Sequence, residues 1–251
     1  MLKKIVFMGT SFFAVPILKS LYQNGYPISV VYTQPAQKSK RGQRVNKSPV
    51  QGISETLNIE FRTPKSLKNN REEYEYLKKL NADIAIVVAY GQIIPKNFLA
   101  IPKLGFINIH ASLLPTWRGA APIQRAIMNG DKKIGISIMK IEEKLDSGPI
   151  LISKELELDE NSTHGEIEKE LSIIGANLLI QSLEIIKNGK PKFVAQDHPR
   201  ATYAKKIDKK ETRINWSLNA DKVLSHIHGL SPSPGAWFEF DKERFKVLKV
   251  K

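Results

Sequence analysis

Two apolar runs with no polar face do most to limit what this chain can fold into. Residues 4–8 read Lys-Ile-Val-Phe-Met and residues 83–89 read Asp-Ile-Ala-Ile-Val-Val-Ala. A strand with one wet face alternates apolar and polar side chains, whereas a strand covered on both faces stays apolar throughout, as the strands of parallel sheets do. Residues 13–24 follow the first run with Val15, Leu18 and Leu21 at helical spacing and stop before Gly25, so the chain opens as strand, turn and helix. Residues 28–32 form a second strand, and residues 49–56 and 71–80 read as helices ahead of the run at 83–89. The expected fold is α/β, with a Rossmann-like, mostly parallel sheet. The turn Gly9-Thr10-Ser11-Phe12 has one glycine where a dinucleotide fingerprint needs three, which argues against a nicotinamide cofactor.

Open α/β sheets bind ligands at the carboxyl ends of their strands, and polar residues gather at those ends here. Residues 105–119 read Gly-Phe-Ile-Asn-Ile-His-Ala-Ser-Leu-Leu-Pro-Thr-Trp-Arg-Gly. Asn108 and His110 alternate with Ile107 and Ile109, so at a period of two they point to one face. The strand breaks at Ala111-Ser112, and Pro115 fixes a turn. An amide donor beside a titratable imidazole suits the polarisation of a carbonyl; a turn cap beside a satisfied core histidine reads the isolated pair equally well. At the end of the other run, Tyr90-Gly91-Gln92 would line the same cleft, with Gly91 letting the backbone approach a flat ligand. A histidine that must stay oriented needs a carboxylate, and Asp146, in the loop at 142–149, is the best placed candidate, although Asp-Ser-Gly-Pro is also an ordinary turn.

The charge balance adds a partner class. Thirty-nine lysines and arginines stand against 25 aspartates and glutamates, a formal net charge of +14, and polyanions such as nucleic acid are the usual partner of such a surface. Between residues 33 and 48 lie Lys38, Lys40, Arg41, Arg44 and Lys47 with no acid, in a connection longer than a βα loop needs. A solvated loop in a lysine-rich chain is the plainer alternative. The absence of cysteine removes disulfides, thiolate metal sites and cysteine nucleophiles, and suits a reducing, cytoplasmic setting. His226 and His228 lack an acid or third histidine at ligand spacing, so no metal is expected. The five-residue apolar run near the amino terminus reads as a strand rather than a signal peptide, and no stretch approaches the roughly 18 apolar residues of a membrane span. A monomer is expected.

Further along, residues 122–129 form a helix with proline near its start and Gly130 past its end, and residues 134–141 and 150–158 read as paired strands. Residues 163–188 form the longest helix, with a Thr163/Glu166 capping pattern and a stripe of Ile167, Leu171, Ile174, Leu178 and Ile185. The main domain is expected over 1–189. Residues 190–205, with Pro191, His198 and Pro199, read as a linker. Residues 206–251 hold a short helix at 220–228 and strands at 236–240 and 245–250, the start of a small β-barrel that looks cut short at Lys251.

Asn108-Ile109-His110-Ala111-Ser112-Leu113-Leu114-Pro115, with Trp117-Arg118-Gly119-Ala120-Ala121-Pro122-Ile123-Gln124 close behind, strongly resembles the formyltetrahydrofolate-dependent formyltransferases. The likeness extends to Phe7-Met8-Gly9-Thr10, Val31-Tyr32-Thr33-Gln34-Pro35, Val88-Ala89-Tyr90-Gly91, Leu145-Asp146-Ser147-Gly148 and Ile214-Asn215-Trp216-Ser217. The resemblance implies that Asn108, His110 and Asp146 are catalytic, that Ser112, Leu113, Leu114 and Pro115 bind folate, and that Tyr90, Gly91, Gln92 and Ile93 line the pterin pocket. It implies 10-formyltetrahydrofolate as co-substrate, without a metal. Members acting on methionyl initiator tRNA carry a basic loop after the second strand and an OB-like carboxyl-terminal domain. The first of these falls here on Lys38, Lys40, Arg41 and Arg44, and the second on 206–251. The loop departs from the family in detail, with Ala36 where an acid is common and Lys-Ser-Lys-Arg-Gly where Pro-x-Gly-Arg-Gly is common. Formyl transfer to the α-amino group of methionyl initiator tRNA is thus the expectation. The alternatives are an amino sugar nucleotide or glycinamide ribonucleotide as acceptor, a hydrolase that passes the formyl group to water, and a non-catalytic RNA-binding module.

Overall fold

The computed structural model describes residues 2–39, 44–189 and 191–250. In chain order it contains β1 (Ile5–Gly9), α1 (Ala14–Gln23), β2 (Ile28–Tyr32), β3 (Gln37–Ser39), β4 (Arg44–Asn46), α2 (Pro49–Thr56), β5 (Phe61–Arg62), α3 (Arg71–Leu80), β6 (Ile84–Val88), α4 (Lys96–Leu99) and β7 (Phe106–His110). There follow β8 (Arg118–Gly119), α5 (Pro122–Asn129), β9 (Lys133–Lys140), β10 (Ile150–Glu157), α6 (His164–Lys187), β11 (Tyr203–Ala204), α7 (Ala220–Leu230), β12 (Ala236–Phe240) and β13 (Glu243–Val247).

Seven strands form one sheet in the order β10-β9-β7-β6-β1-β2-β5. β1 runs parallel to β2 and β6, β2 to β5 and β6 to β7, while β7 meets β9 antiparallel. The sheet is therefore mostly parallel, as the apolar runs require, and every residue of β1 and β6 is buried. Asp83 joins the two strands at their starts, its Oδ2 accepting from the backbone N–H groups of Lys3 (2.6 Å) and Lys4 (3.0 Å). Local signals fix the helix ends. Ser48 caps α2 by accepting from Gln51 N–H, with Pro49 in the first turn, and Asn70 caps α3 by accepting from Glu73 N–H.

Val6, Met8, Val30, Tyr32, Leu77, Val87 and Phe106 belong to one apolar cluster on the sheet. At about 1.5–3 kcal/mol for each large side chain fully buried, this cluster is what keeps the strand ends in place. Among the described residues one acid is buried, and it is paired: Glu73 accepts from the Tyr32 hydroxyl and the Arg62 Nε–H, both at 2.7 Å. The chain builds from β1 through β2 to β5, then returns to the opposite side of β1 at β6. At such a reversal the loops leaving the two strands diverge and open a crevice at their carboxyl ends.

The described residues form two compact units, Met1–His110 with Ser137–Ile152 and Ser172–Gln196, and Ala111–Ile136 with Ser153–Leu171 and Asp197–Lys251. Within the second, β8 pairs parallel with β11, and α5 packs on α7 at Gly229, where an added side chain would meet Met128. Arg125 on α5 grips the Glu211 carboxylate at 2.6 and 3.0 Å. Ile214, Ile227, Leu230 and Ala236 form its small core.

Two local readings change. The basic stretch expected as an irregular loop contains a two-stranded ribbon, β3 against β4, with Lys38 opposite Val45 and Ser39 opposite Arg44. The last strand begins at Glu243 rather than at 245, because Asp241 and Lys242 both adopt left-handed φ (47° and 64°) and close a two-residue hairpin. Among the described residues no helix is long and apolar enough to cross a membrane.

Candidate active site

β7 is the strand on which the site stands. Its hydrogen-bonded neighbours are β6, which sets Val87 beside Asn108, and β9, which sets Met139 beside Asn108 and Ser137 beside His110. Ile107 and Ile109 are buried on one side, and Asn108 and His110 share the other at the period of two. Asn108 keeps partial exposure, whereas His110 is only 6 % exposed. A ring so deeply buried, at a strand end and beside a carboxylate, is held in one orientation.

The carboxylate is that of Asp146, in the loop between β9 and β10. Its Oδ1 lies 3.5 Å from Asn108 Nδ2 and its Oδ2 lies 3.7 Å from His110 Nδ1. One carboxylate thus touches both residues, an oxygen for each. Both contacts are long for hydrogen bonds. It is through Nδ1 that the His110 ring faces the carboxylate. Asp146 itself has φ 45°, and aspartate is one of the few residues other than glycine that enter the left-handed region readily.

The loops leaving β1, β2 and β6 are tied together. The Tyr90 carbonyl accepts from Thr10 Oγ1 (2.8 Å) and Gln34 Nε2 (3.0 Å), and the Gln34 backbone N–H donates to Thr10 Oγ1 (3.3 Å). Gly91 has φ 76°, and any side chain there would strike the Gln34 amide, so the bond pattern itself demands glycine. Of the four residues expected to line a pterin pocket, Tyr90 turns its ring into the apolar cluster and offers only backbone. Gln92 donates through Nε2 to the Pro64 carbonyl at 2.8 Å, while Ile93 is 89 % exposed. Phe12, in the loop after β1, is 77 % exposed. Large apolar side chains in water at the ligand-binding end of a sheet mark a surface that something flat and apolar can cover.

Ser112, Leu113, Leu114 and Pro115 follow His110 directly in the chain and fall in the second unit. Ser112 is fully buried and donates from Oγ to the Thr116 carbonyl at 2.5 Å, and the Leu114–Pro115 peptide is cis. Lys38 and Arg44 stand on β3 and β4, located by their backbone, and Lys40 and Arg41 lie outside the described residues. His226 and His228 do not face each other as ligands would. Their ring nitrogens meet backbone carbonyls, of Glu211 for His226 and of Glu160 and Val250 for His228.

Residues 3–183 match the family described as formyl transferase, and residues 206–251 match formyl transferase, C-terminal domain. The chain belongs to the formyl transferase family. It is 57 % identical over 250 residues to the methionyl-tRNA formyltransferase of Pelagibacter ubique, across 100 % of this chain and 81 % of that protein. To the methionyl-tRNA formyltransferase of Mesorhizobium japonicum it is 47 % identical, across 98 % of this chain and 79 % of that one. Solved structures with the same fold include a 4-N formyltransferase from Francisella tularensis, with a TM-score of 0.77, 18 % identity and coverage of 98 % of this chain and 96 % of that one. HypX from Aquifex aeolicus, in complex with tetrahydrofolic acid, aligns with a TM-score of 0.72 and 16 % identity over 98 % of this chain, which spans 37 % of that longer one. The family expected from the motif around Asn108 and His110 is the one the chain belongs to.

This formyl transferase also uses residues that its sequence does not advertise. Gln196 donates from Nε2 to the carbonyls of Asp146 (2.9 Å) and Gly148 (2.7 Å), yet it lies in a stretch read as a linker. Thr10 and Gln34 stand inside recognisable family segments, but both donate to the Tyr90 backbone carbonyl, which no side-chain pattern announces.

Proposed function

We propose that the protein transfers a formyl group from 10-formyltetrahydrofolate to the α-amino group of methionyl initiator tRNA. The observation that carries the chemistry is the single Asp146 carboxylate facing both Asn108 and His110 at the end of a parallel strand. The acceptor is supported by relatives named methionyl-tRNA formyltransferase at 57 % and 47 % identity across nearly the whole chain. The residues present fit a folate: exposed Ile93 and Phe12 on the loops after β6 and β1, and an amide and an imidazole for the formyl group. The reading carries with it a cytoplasmic, monomeric enzyme whose chemistry lies in residues 1–189.

Formyl transfer forms a bond from the amine nitrogen to the formyl carbon and breaks the bond from that carbon to a folate nitrogen. The formyl oxygen gains charge in between. Asn108 donates a hydrogen bond to it, a contribution of roughly 3–4 kcal/mol in comparable oxyanion holes. His110 takes the proton that the amine loses and returns it to the departing folate nitrogen, so the proton count closes within the site. Asp146 orients the imidazole and stabilises it while it holds that proton. Lys38, Lys40, Arg41 and Arg44, together with residues 206–251, hold the acceptor end of the tRNA through its phosphates.

Turnover with 10-formyltetrahydrofolate tests the reading. Methionyl initiator tRNA should be formylated, and free methionine, an amino sugar nucleotide and glycinamide ribonucleotide should not. Preference for a small amine would replace tRNA as the acceptor, release of formate without an acceptor would mark a hydrolase, and filter binding of tRNA without turnover would leave an RNA-binding module.

A further inference from the structure

The loop that presents Asp146 is closed locally by Ser147, whose Oγ donates to the Lys144 carbonyl at 3.0 Å. Residues 142–145 are exposed, and Asp146 takes a left-handed φ of 45°. From below, the Lys140 backbone N–H donates to the Pro149 carbonyl at 3.0 Å. Gly148 lies so close to Lys140 that a side chain there would meet its carbonyl. A further hold comes from a residue 50 positions beyond Asp146. Gln196 is 6 % exposed, and its amide nitrogen reaches the carbonyls of Asp146 at 2.9 Å and Gly148 at 2.7 Å. An amide nitrogen carries two hydrogens, so both are engaged, one on each side of Ser147. The amide is itself located by backbone, because Val194, two residues earlier, exchanges N–H to carbonyl bonds of 2.8 Å in both directions with Ile150.

We propose that Gln196 is a positioning residue for formyl transfer: by clamping the backbone on either side of Ser147 it holds the Asp146 carboxylate in place against Asn108 and His110. The proposal rests on the catalytic reading of Asp146. Glutamine is the side chain this task requires. Glutamate has the same length but no hydrogens to give and sets a charge against two carbonyls, and methionine has the length without donors.

The test is a double-mutant cycle on the full chain, pairing Gln196→Met with Asp146→Asn, with 10-formyltetrahydrofolate and methionyl initiator tRNA as substrates. Gln196→Met should lower kcat by about 10- to 100-fold, the loss that a small misplacement of a catalytic group brings. The KM for either substrate should stay within about twofold, since binding is untouched. On the Asp146→Asn background the same substitution should cost nothing more, because no carboxylate remains to be placed. Gln196→Glu should repeat the kcat loss, and it serves as the second variant should Gln196→Met fold poorly. Wild-type kcat in Gln196→Met, a loss carried by KM, or losses that multiply in the double variant would each overturn the positioning role. Full turnover in Asp146→Asn alone would instead overturn the catalytic reading of Asp146, whatever Gln196 does.

Discussion

The end of β7 and the β3–β4 ribbon are both polar and both assigned to a substrate, yet the backbone treats them very differently. β7 is hydrogen-bonded on both sides, to β6 and to β9, and its apolar residues are buried. β3 and β4 are three residues each and, among the described residues, form a sheet of two strands. The difference suits the role proposed for each. A group that moves a proton or meets a developing charge loses much of its effect when displaced by an ångström, so it belongs on a strand that cannot shift. A cation that meets a phosphate acts across several ångströms, within the ionic screening length of roughly 8 Å, so a slight ribbon serves.

Substitutions can break or sharpen that contrast. The largest effect belongs to β7: His110→Ala should lower kcat by about 10²- to 10⁴-fold, the usual worth of a positioned acid–base group, with KM values little changed. If steady-state kinetics put the loss in KM for tRNA instead, His110 would belong to recognition and the contrast would fail.

Acid separates the site from its scaffold. His164 is buried, its Nδ1 has no partner among the described residues, and burial holds its pKa down to about 4 from an ordinary 6.5. The unfolded chain accepts a proton that the folded one refuses, so this stability is fully present above about pH 6.5. It should fall by up to about 3 kcal/mol as the pH drops towards 4. Urea midpoints over that window should decline in the wild type and flatten in His164→Gln; equal declines in both would place the acid sensitivity elsewhere.

A smaller effect lies between the two regions, where Gln34 joins the base of the ribbon to the Tyr90 carbonyl. Gly91→Ala forces a left-handed φ on alanine, at about 1–2 kcal/mol, and displaces the Gln34 amide. Its KM for the folate should rise while kcat at saturation holds, and an unchanged KM would remove the Tyr90–Gly91 loop from the pocket. The least effect per residue belongs to the ribbon itself. Lys38→Ala and Arg44→Ala should each leave kcat intact and reduce the salt dependence of tRNA binding, measured as the slope of log affinity on log salt, by about 0.7–0.9. Unaltered slopes would return the basic stretch to a merely solvated surface.

The sequence reading succeeded and failed along a physical line. The strand nature of 83–89, the helix at 122–129 with its proline and Gly130, and the shared face of Asn108 and His110 all follow from periodicity and end signals local to a few residues. The motif around Asn108 and His110 made the family legible. Gln196 did not show, because its effect depends on which carbonyls the fold brings within 3 Å, a long-range property that no window of sequence contains. The β3–β4 ribbon was missed for a related reason: strands of three residues are too short to establish a period. Tyr90 stands at the strand end that the sequence indicated, but that its ring joins the apolar cluster while its carbonyl meets Thr10 and Gln34 is again a long-range property.

The central claim is that Asn108, His110 and Asp146 act as one unit on the formyl group. Single-turnover rates of formyl transfer to methionyl initiator tRNA, at saturating enzyme and folate, test it most directly in His110→Ala and in the triple variant Asn108→Ala/His110→Ala/Asp146→Asn. Residues that work as a unit are far from additive, so the triple variant should be no more than about tenfold slower than His110→Ala alone. Losses that multiply across the three positions, or a triple variant that still transfers formyl at the wild-type rate, would contradict it.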